Sequence, residues 1–123
     1  MKNVCIVIPA RFKSSRFPGK PLKKILGKEM ILRVAEKCKK VVGLKNLYVA
    51  TDDKRICNLA KKNNLKSIMT PKSCRTGTDR VSYALKKIKS EIILNVQGDE
   101  PLIKVADIKK IIKYKKKFPK SVI

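Results

Sequence analysis

Four short apolar runs recur along the chain, and each is followed by a stretch whose apolar residues fall three to four positions apart. "VCIVI" (4–8) is continuous, as in a strand buried on both faces. In "MILRVAEKCKKV" (30–41), Met30, Val34, Cys38 and Val41 keep helical spacing, Ile31 and Ala35 widen the stripe, and Gly43 marks a stop. "NLYVAT" (46–51) reads as a second strand. "DDKRICNLAKKNN" (52–64) reads as a helix that Asp52 or Asp53 can cap, with Ile56, Leu59 and Ala60 inward. "LKSIMT" (65–70) is a third strand. "TDRVSYALKKIK" (78–89) is a helix with Val81, Ala84, Leu85 and Ile88 inward. "EIILNVQ" (91–97) is a fourth strand, and "VADIKKIIKYKKKF" (105–118) a helix with Ile108, Ile111 and Ile112 inward.

Strand–helix units in this alternation predict an α/β fold: a parallel sheet with helices on both faces, three layers in all. No internal repeat and no linker interrupts it, so one domain is expected. Such sheets bind ligands beyond the carboxyl ends of their strands, where strand order reverses. The first strand leads into the polar segment 9–21 and the fourth into "QGDEP" (97–101). If those two strands are neighbours, both loops line one crevice.

Charge sharpens this reading. The 123 residues carry a formal +23, mostly from lysine, since arginine stands only at 11, 16, 33, 55, 75 and 80. An excess of this size suits anionic partners, although the bulk of it reads as solvated helix faces. A nucleic-acid module would want a stacking platform, and Phe12, Phe17, Tyr48, Tyr83, Tyr114 and Phe118 are not grouped as one. Cys5, Cys38, Cys57 and Cys74 form no CxxC pair, and without histidine neither a zinc site nor a Ser-His or Cys-His nucleophile can be assembled. Cys5, Cys38 and Cys57 fall in apolar stretches and read as small buried hydrophobes. Free thiols and no signal segment point to the cytoplasm. Residues 4–8 are too few for membrane insertion.

The first loop departs from the bland reading. Arg11, Lys13, Arg16 and Lys20 follow a buried strand, with Ser14, Ser15, Pro18, Gly19 and Pro21 among them. Serine hydroxyls and backbone N–H groups donate to phosphate oxygens, arginine adds a planar fork, and lysine a mobile charge. That makes a polyphosphate cradle, though not the GxxxxGK[ST] loop. In "VQGDEP", Asp99 and Glu100 are an acidic pair in a basic chain. A carboxylate beside phosphates suits Mg²⁺, and capping of the next helix is the plainer role. In "CRTGTDR" (74–80), Thr76, Gly77 and Thr78 can meet a base or ribose, and capping by Thr78 explains much of the motif.

In this order and spacing, "IPARFKSSRFPGKPL", "VATDD", "GTDRV" and "NVQGDEP" resemble the amino-terminal half of the 3-deoxy-D-manno-octulosonate (Kdo) cytidylyltransferases. Sialic acid cytidylyltransferases share "IPAR" and Pro-Gly-Lys but diverge afterwards, which favours an octulosonate; amino-octulosonates stay open. The resemblance implies a Rossmann-like nucleotide-diphospho-sugar transferase fold with its first strands in order 3-2-1-4. It implies the reaction of CTP with Kdo to give CMP-Kdo, for lipopolysaccharide biosynthesis, and pyrophosphate. Carried over, Arg11, Arg16 and Lys20 hold the triphosphate, and backbone near Pro9 and Ala10 meets the cytidine together with Thr76 and Gly77. Gln97 lies near nucleotide or sugar, Asp99 binds Mg²⁺, and Lys20 and Asp99 are the catalytic pair. Cys74 stands where the family often has histidine.

Family chains are longer and form homodimers. The resemblance assigns the second metal aspartate, much of the sugar site and the dimer surface to their carboxyl half. Residues 1–123 are therefore expected to be the nucleotide-binding part of one truncated domain, inactive alone, whether as a fragment, a shortened frame or a degenerate gene. Lysine and isoleucine richness resembles AT-rich coding bias. An inactive remnant and a basic nucleic-acid-binding module are the competing functions.

Overall fold

A computed structural model of the chain describes residues 4–12, 20–74, 76–88, 92–96 and 104–117. Strands β1 (Val4–Ala10), β4 (Leu47–Thr51), β5 (Lys66–Met69) and β6 (Ile92–Asn95) form one sheet, while β2 (Lys24–Ile25) and β3 (Lys28–Glu29) form a small hairpin. The helices are α1 (Met30–Val42), α2 (Lys54–Lys62), α3 (Gly77–Leu85) and α4 (Val105–Lys117). The sheet is parallel throughout, in order β5-β4-β1-β6. Counting the four apolar runs alone, this is the expected 3-2-1-4. Among the described residues no helix is long and apolar enough to cross a membrane.

Alternation along β1 explains why its sequence is apolar without a break. Ile6, Ile8 and Ala10 face one side with Leu47, Val49 and Leu94, and are covered by Ile31, Val34, Ala35 and Cys38 of α1, Ile56 and Ala60 of α2, and Ile108 and Ile112 of α4. Cys5 and Val7 face the other side with Ala50 and Ile68, against Val81 and Ala84 of α3. Both sets are buried, so neither parity admits a polar residue. Each fully buried aliphatic side chain stabilises by roughly 1.5–3 kcal/mol relative to exposure.

β1 runs two residues past the apolar run, through Pro9 and Ala10. A proline in a central strand lacks one ladder donor. The Val7 carbonyl accepts from the Val96 N–H at 3.1 Å, so backbone groups of this parity face β6. The described pairing with β6 ends at Val7↔Asn95, whereas that with β4 continues through Ala10↔Thr51. Pro9 therefore sits where no ladder donor is required.

Two local expectations need correction, and two further details are added. The helix expected over 78–89 ends at Leu85, and the next residues tighten into bonds from the Lys86, Lys87 and Ile88 N–H groups to the Tyr83, Ala84 and Leu85 carbonyls. Ile88 is buried as expected, whereas Leu85, expected inward, is 43% exposed. The cap of α3 is Thr76 rather than Thr78, in a capping box closed by Asp79. The β2–β3 hairpin had no periodic signal, because each of its strands has two residues. Asp53, not Asp52, caps α2 by accepting from the Arg55 N–H.

Candidate functional site

The ends of β1, β4 and β5 lie along one edge, as Ala10↔Thr51 and Thr51↔Met69 are register partners. The Thr70 N–H donates to the Thr51 carbonyl at 2.8 Å, which carries this edge one residue beyond β5. On the far side β6 pairs with β1. The first and fourth strands of the sequence pattern are therefore neighbours, which the sequence alone left conditional.

Two helices begin here. α2 starts after Asp53, and α3 starts after Thr76, packed beneath β1 and β4. Helix amino ends carry partial positive charge and unpaired N–H groups, which favour anions. The Thr76 hydroxyl oxygen accepts from the Asp79 N–H at 3.0 Å. Its O–H remains a donor, and Thr76 is exposed at the edge.

The sequence-derived site residues fall as follows. Pro9 and Ala10 are buried on β1, so the chain presents backbone there. Arg11 is exposed directly beyond Ala10. Lys20 is half-buried and opens a 3-10 turn over Lys20–Leu22, anchored by buried Pro21 and by the Lys23 N–H donating to the Lys20 carbonyl at 3.1 Å. Met30, the first residue of α1, donates its N–H to the Lys23 carbonyl at 2.7 Å, which ties the turn to the core. Thr76 and Gly77 sit at the start of α3. Arg16, Gln97 and Asp99 lie outside the described residues.

Sequence reasoning passed over two arginines that organise this edge. Arg55, on the first turn of α2, makes a two-point contact with Asp53: Nη2 to Oδ2 at 2.8 Å and Nε to Oδ1 at 3.1 Å. That contact holds the Asp53 carboxyl below its ordinary pKa and raises that of Arg55. Arg80 is 1% exposed, the largest fully buried side chain among the described residues, and approaches the Asp52 carboxylate at 3.6 Å. Arginine in the first turn of a helix reads as solvated; the available signal was the paired acid in "TDD" with no other use for two carboxylates.

Among the described residues no three His, Cys, Asp or Glu side chains converge as a metal cluster. All four cysteines are free and buried, Cys74 included. Burial pushes the Cys38 thiol up to about 12.

A cytidylyltransferase family model matches residues 5–122. The chain is 48% identical over 109 residues to a mitochondrial 3-deoxy-manno-octulosonate cytidylyltransferase of Arabidopsis thaliana, covering 87% of this chain and 38% of that protein. It is 42% identical over 120 residues to an 8-amino-3,8-dideoxy-manno-octulosonate cytidylyltransferase of a Shewanella species, covering 95% and 49%. A solved structure of CMP:2-keto-3-deoxy-manno-octonic acid synthetase complexed with CTP superposes with a TM-score of 0.90 at 41% identity, covering 96% of this chain and 49% of that one. The chain thus spans at most about half the length of these relatives.

Proposed function

Because the chain belongs to the cytidylyltransferase family, we propose that the carboxyl edge of its sheet is a CTP site serving the activation of an acidic eight-carbon sugar. The observation that carries this reading is the parallel pairing of β1 with β6, which sets the carboxyl ends of these two strands side by side. Arg11, Arg16 and Lys20 take the triphosphate. The backbone at Pro9 and Ala10, with Thr76 and Gly77, takes the nucleoside, and Gln97 lies at the junction with the sugar. The general positive charge draws anionic substrates toward the edge.

In the reaction proposed, the anomeric hydroxyl of 3-deoxy-manno-octulosonate attacks the α-phosphorus of CTP in line. The bond from the α-phosphorus to the bridging oxygen breaks, the hydroxyl proton passes to solvent, and CMP-sugar and pyrophosphate form. The sugar nucleotide then serves lipopolysaccharide assembly. Chemistry of this kind depends mostly on positioning and charge neutralisation, which cationic side chains supply. Among the described carboxylates at this edge, Asp52 faces Arg80, Asp53 is held by Arg55, and Asp79 closes the capping box. The family resemblance supports Asp99 as the residue that would hold Mg²⁺, which when bound would neutralise triphosphate charge. The 8-amino sugar is the second reading, favoured by the Shewanella relative named for it.

Calorimetric titration of CTP and of ATP into the 123-residue chain, with and without Mg²⁺, tests the site. CTP is expected to bind more tightly than ATP and to gain from the metal. Equal affinities would overturn the base assignment, and binding of neither nucleotide would overturn the site.

A further inference from the structure

We propose that Arg80 is a positioning residue that holds the Thr76–Gly77 turn in the shape that meets the nucleoside; the role in binding rests on the CTP reading above, while the ordering of the turn does not. The cation sits inside a protein of net charge +23 and is 1% exposed. Removing a guanidinium from water is costly unless its donors are satisfied. Here they are spent on three residues at once, from the stretches that follow β4 and β5. Nη1 donates to the Thr70 hydroxyl, Nη2 donates to the Cys74 carbonyl at 2.8 Å, and Nη2 lies 3.6 Å from Asp52 Oδ2. Thr70 follows β5, Asp52 follows β4, and Cys74 ends a turn closed by its own N–H donating to the Pro71 carbonyl at 3.1 Å.

Thr70, Cys74 and Thr76 are therefore all held from α3. Arg80 grips Thr70 and Cys74, and the capping box grips Thr76, where the Thr76 N–H donates to Asp79 Oδ2 at 3.3 Å. Both grips originate in the first turn of α3, from adjacent residues. A planar fork with several fixed donors can span Thr70 and Cys74 together; a lysine ammonium cannot reproduce that reach. Arg80 lies under the turn with almost no exposure, so it acts on a nucleotide through Thr76 and Gly77 and not by touching it.

Two variants test this. Arg80→Lys keeps the charge and removes the fork. Thr70→Val keeps both charge and shape and removes one acceptor, so it remains informative if the lysine variant folds poorly. The first readout is hydrogen exchange at the amides of Cys74 and Asp79. Both are expected to exchange about tenfold faster or more in each variant, as local opening becomes easier; unchanged exchange would overturn the proposal. The second readout compares CTP with inorganic tripolyphosphate. Arg80→Lys should weaken CTP about tenfold, the scale of a lost hydrogen bond to a correctly held group, and leave tripolyphosphate within about twofold. An unchanged ratio of the two affinities would reduce Arg80 to a structural residue. If the unaltered chain binds neither ligand, the CTP reading falls, and hydrogen exchange still decides whether Arg80 orders the turn.

Discussion

The guanidinium carbon of Arg55 lies 3.4 Å from the centroid of the Phe12 ring, so the chain leaving β1 is stacked against the first turn of α2. The same guanidinium is oriented by its two-point contact with Asp53. Phe12 in turn packs against the main core cluster. The ring is thereby fixed between core and cation immediately after Arg11. Replacing Arg55 by Ala should free the ring and weaken CTP binding, with a small change in melting temperature because Arg55 is solvent-facing. Arg55→Lys should behave like the alanine variant, since an ammonium does not stack flat on a ring. Chemical shifts of the Phe12 ring protons report the stack; identical shifts in wild type and Arg55→Ala would refute it.

Asp53 links that stack to pH. Its folded pKa lies below the unfolded value of about 3.9. A depressed carboxylate stabilises the fold fully above the unfolded pKa, and that stability is lost as pH falls through the folded value. Asp53→Asn keeps an amino-terminal cap and removes the ion pair, so its unfolding free energy should fall less steeply than wild type's below about pH 4. Asp53→Ala, which loses the cap as well, should cost about 1 kcal/mol at neutral pH in denaturant titrations.

Most of the architecture was legible in the sequence because burial on both faces leaves an unambiguous trace. Ile6, Val7 and Ile8 are all inaccessible, and a run of that kind has few alternatives to an inner strand. The helices were legible from stripes such as Ile31, Val34, Ala35 and Cys38, all buried on α1. Exposure of Leu85 escaped because helical spacing assumes that the helix continues, and here it tightens after Leu85. In the site, the cationic loop and the family motifs were readable from residue types. Burial of Arg80 was not, since it depends on the stretch holding Thr70 and Cys74 meeting Asp52 after β4, a pairing that sequence spacing does not give.

The β2–β3 hairpin carries a local misfit. Leu26 holds a left-handed φ of 51° at its tip and is 94% exposed. Arg33 clamps the tip, with Nε donating to the Ile25 carbonyl at 2.8 Å and Nη2 to the Leu26 carbonyl at 3.1 Å. A leucine in that conformation is strained and gains nothing from burial. Leu26→Asn should stabilise the protein by about 1 kcal/mol, because asparagine tolerates left-handed φ. Gly27, at φ +82° with open space around it, should show the reverse: Gly27→Ala destabilises through backbone strain without any clash. Thermal unfolding of the two variants should move in opposite directions, and a shift of the same sign would contradict this account.

Cysteine chemistry should report unfolding. All four thiols are buried, and that of Cys38, at 0% exposure, is pushed up to about 12 by burial. The thiolate is the nucleophile, so iodoacetamide at pH 8 should leave Cys38 unmodified in the folded chain. It should then alkylate Cys38 at the rate at which the core opens. Peptide mapping after a time course in increasing urea checks this; rapid labelling of Cys38 without denaturant would mean that the cover provided by α1 is wrong.

Charge reversal separates the cationic loop from the general lysine excess. Lys20 is half-buried, opens a turn pinned by Pro21 and by backbone bonds through Lys23 to Met30, and so holds a defined position. Lys113 is exposed on α4, where its charge is one among many solvated lysines. Both substitutions to glutamate change the net charge by the same amount, so an effect of net charge alone is shared by the two. A specific triphosphate contact adds to Lys20 alone. Lys20→Glu should therefore weaken CTP and tripolyphosphate about tenfold or more, the scale of a lost charge-assisted bond with repulsion added. Lys113→Glu should weaken them only slightly at low ionic strength, and not at all at 0.5 M salt, where surface charges are screened. Titrations of both variants at two salt concentrations give the comparison. Equal losses would show that the loop binds as ordinary basic surface, and that the triphosphate is drawn by net charge and not held by a built site.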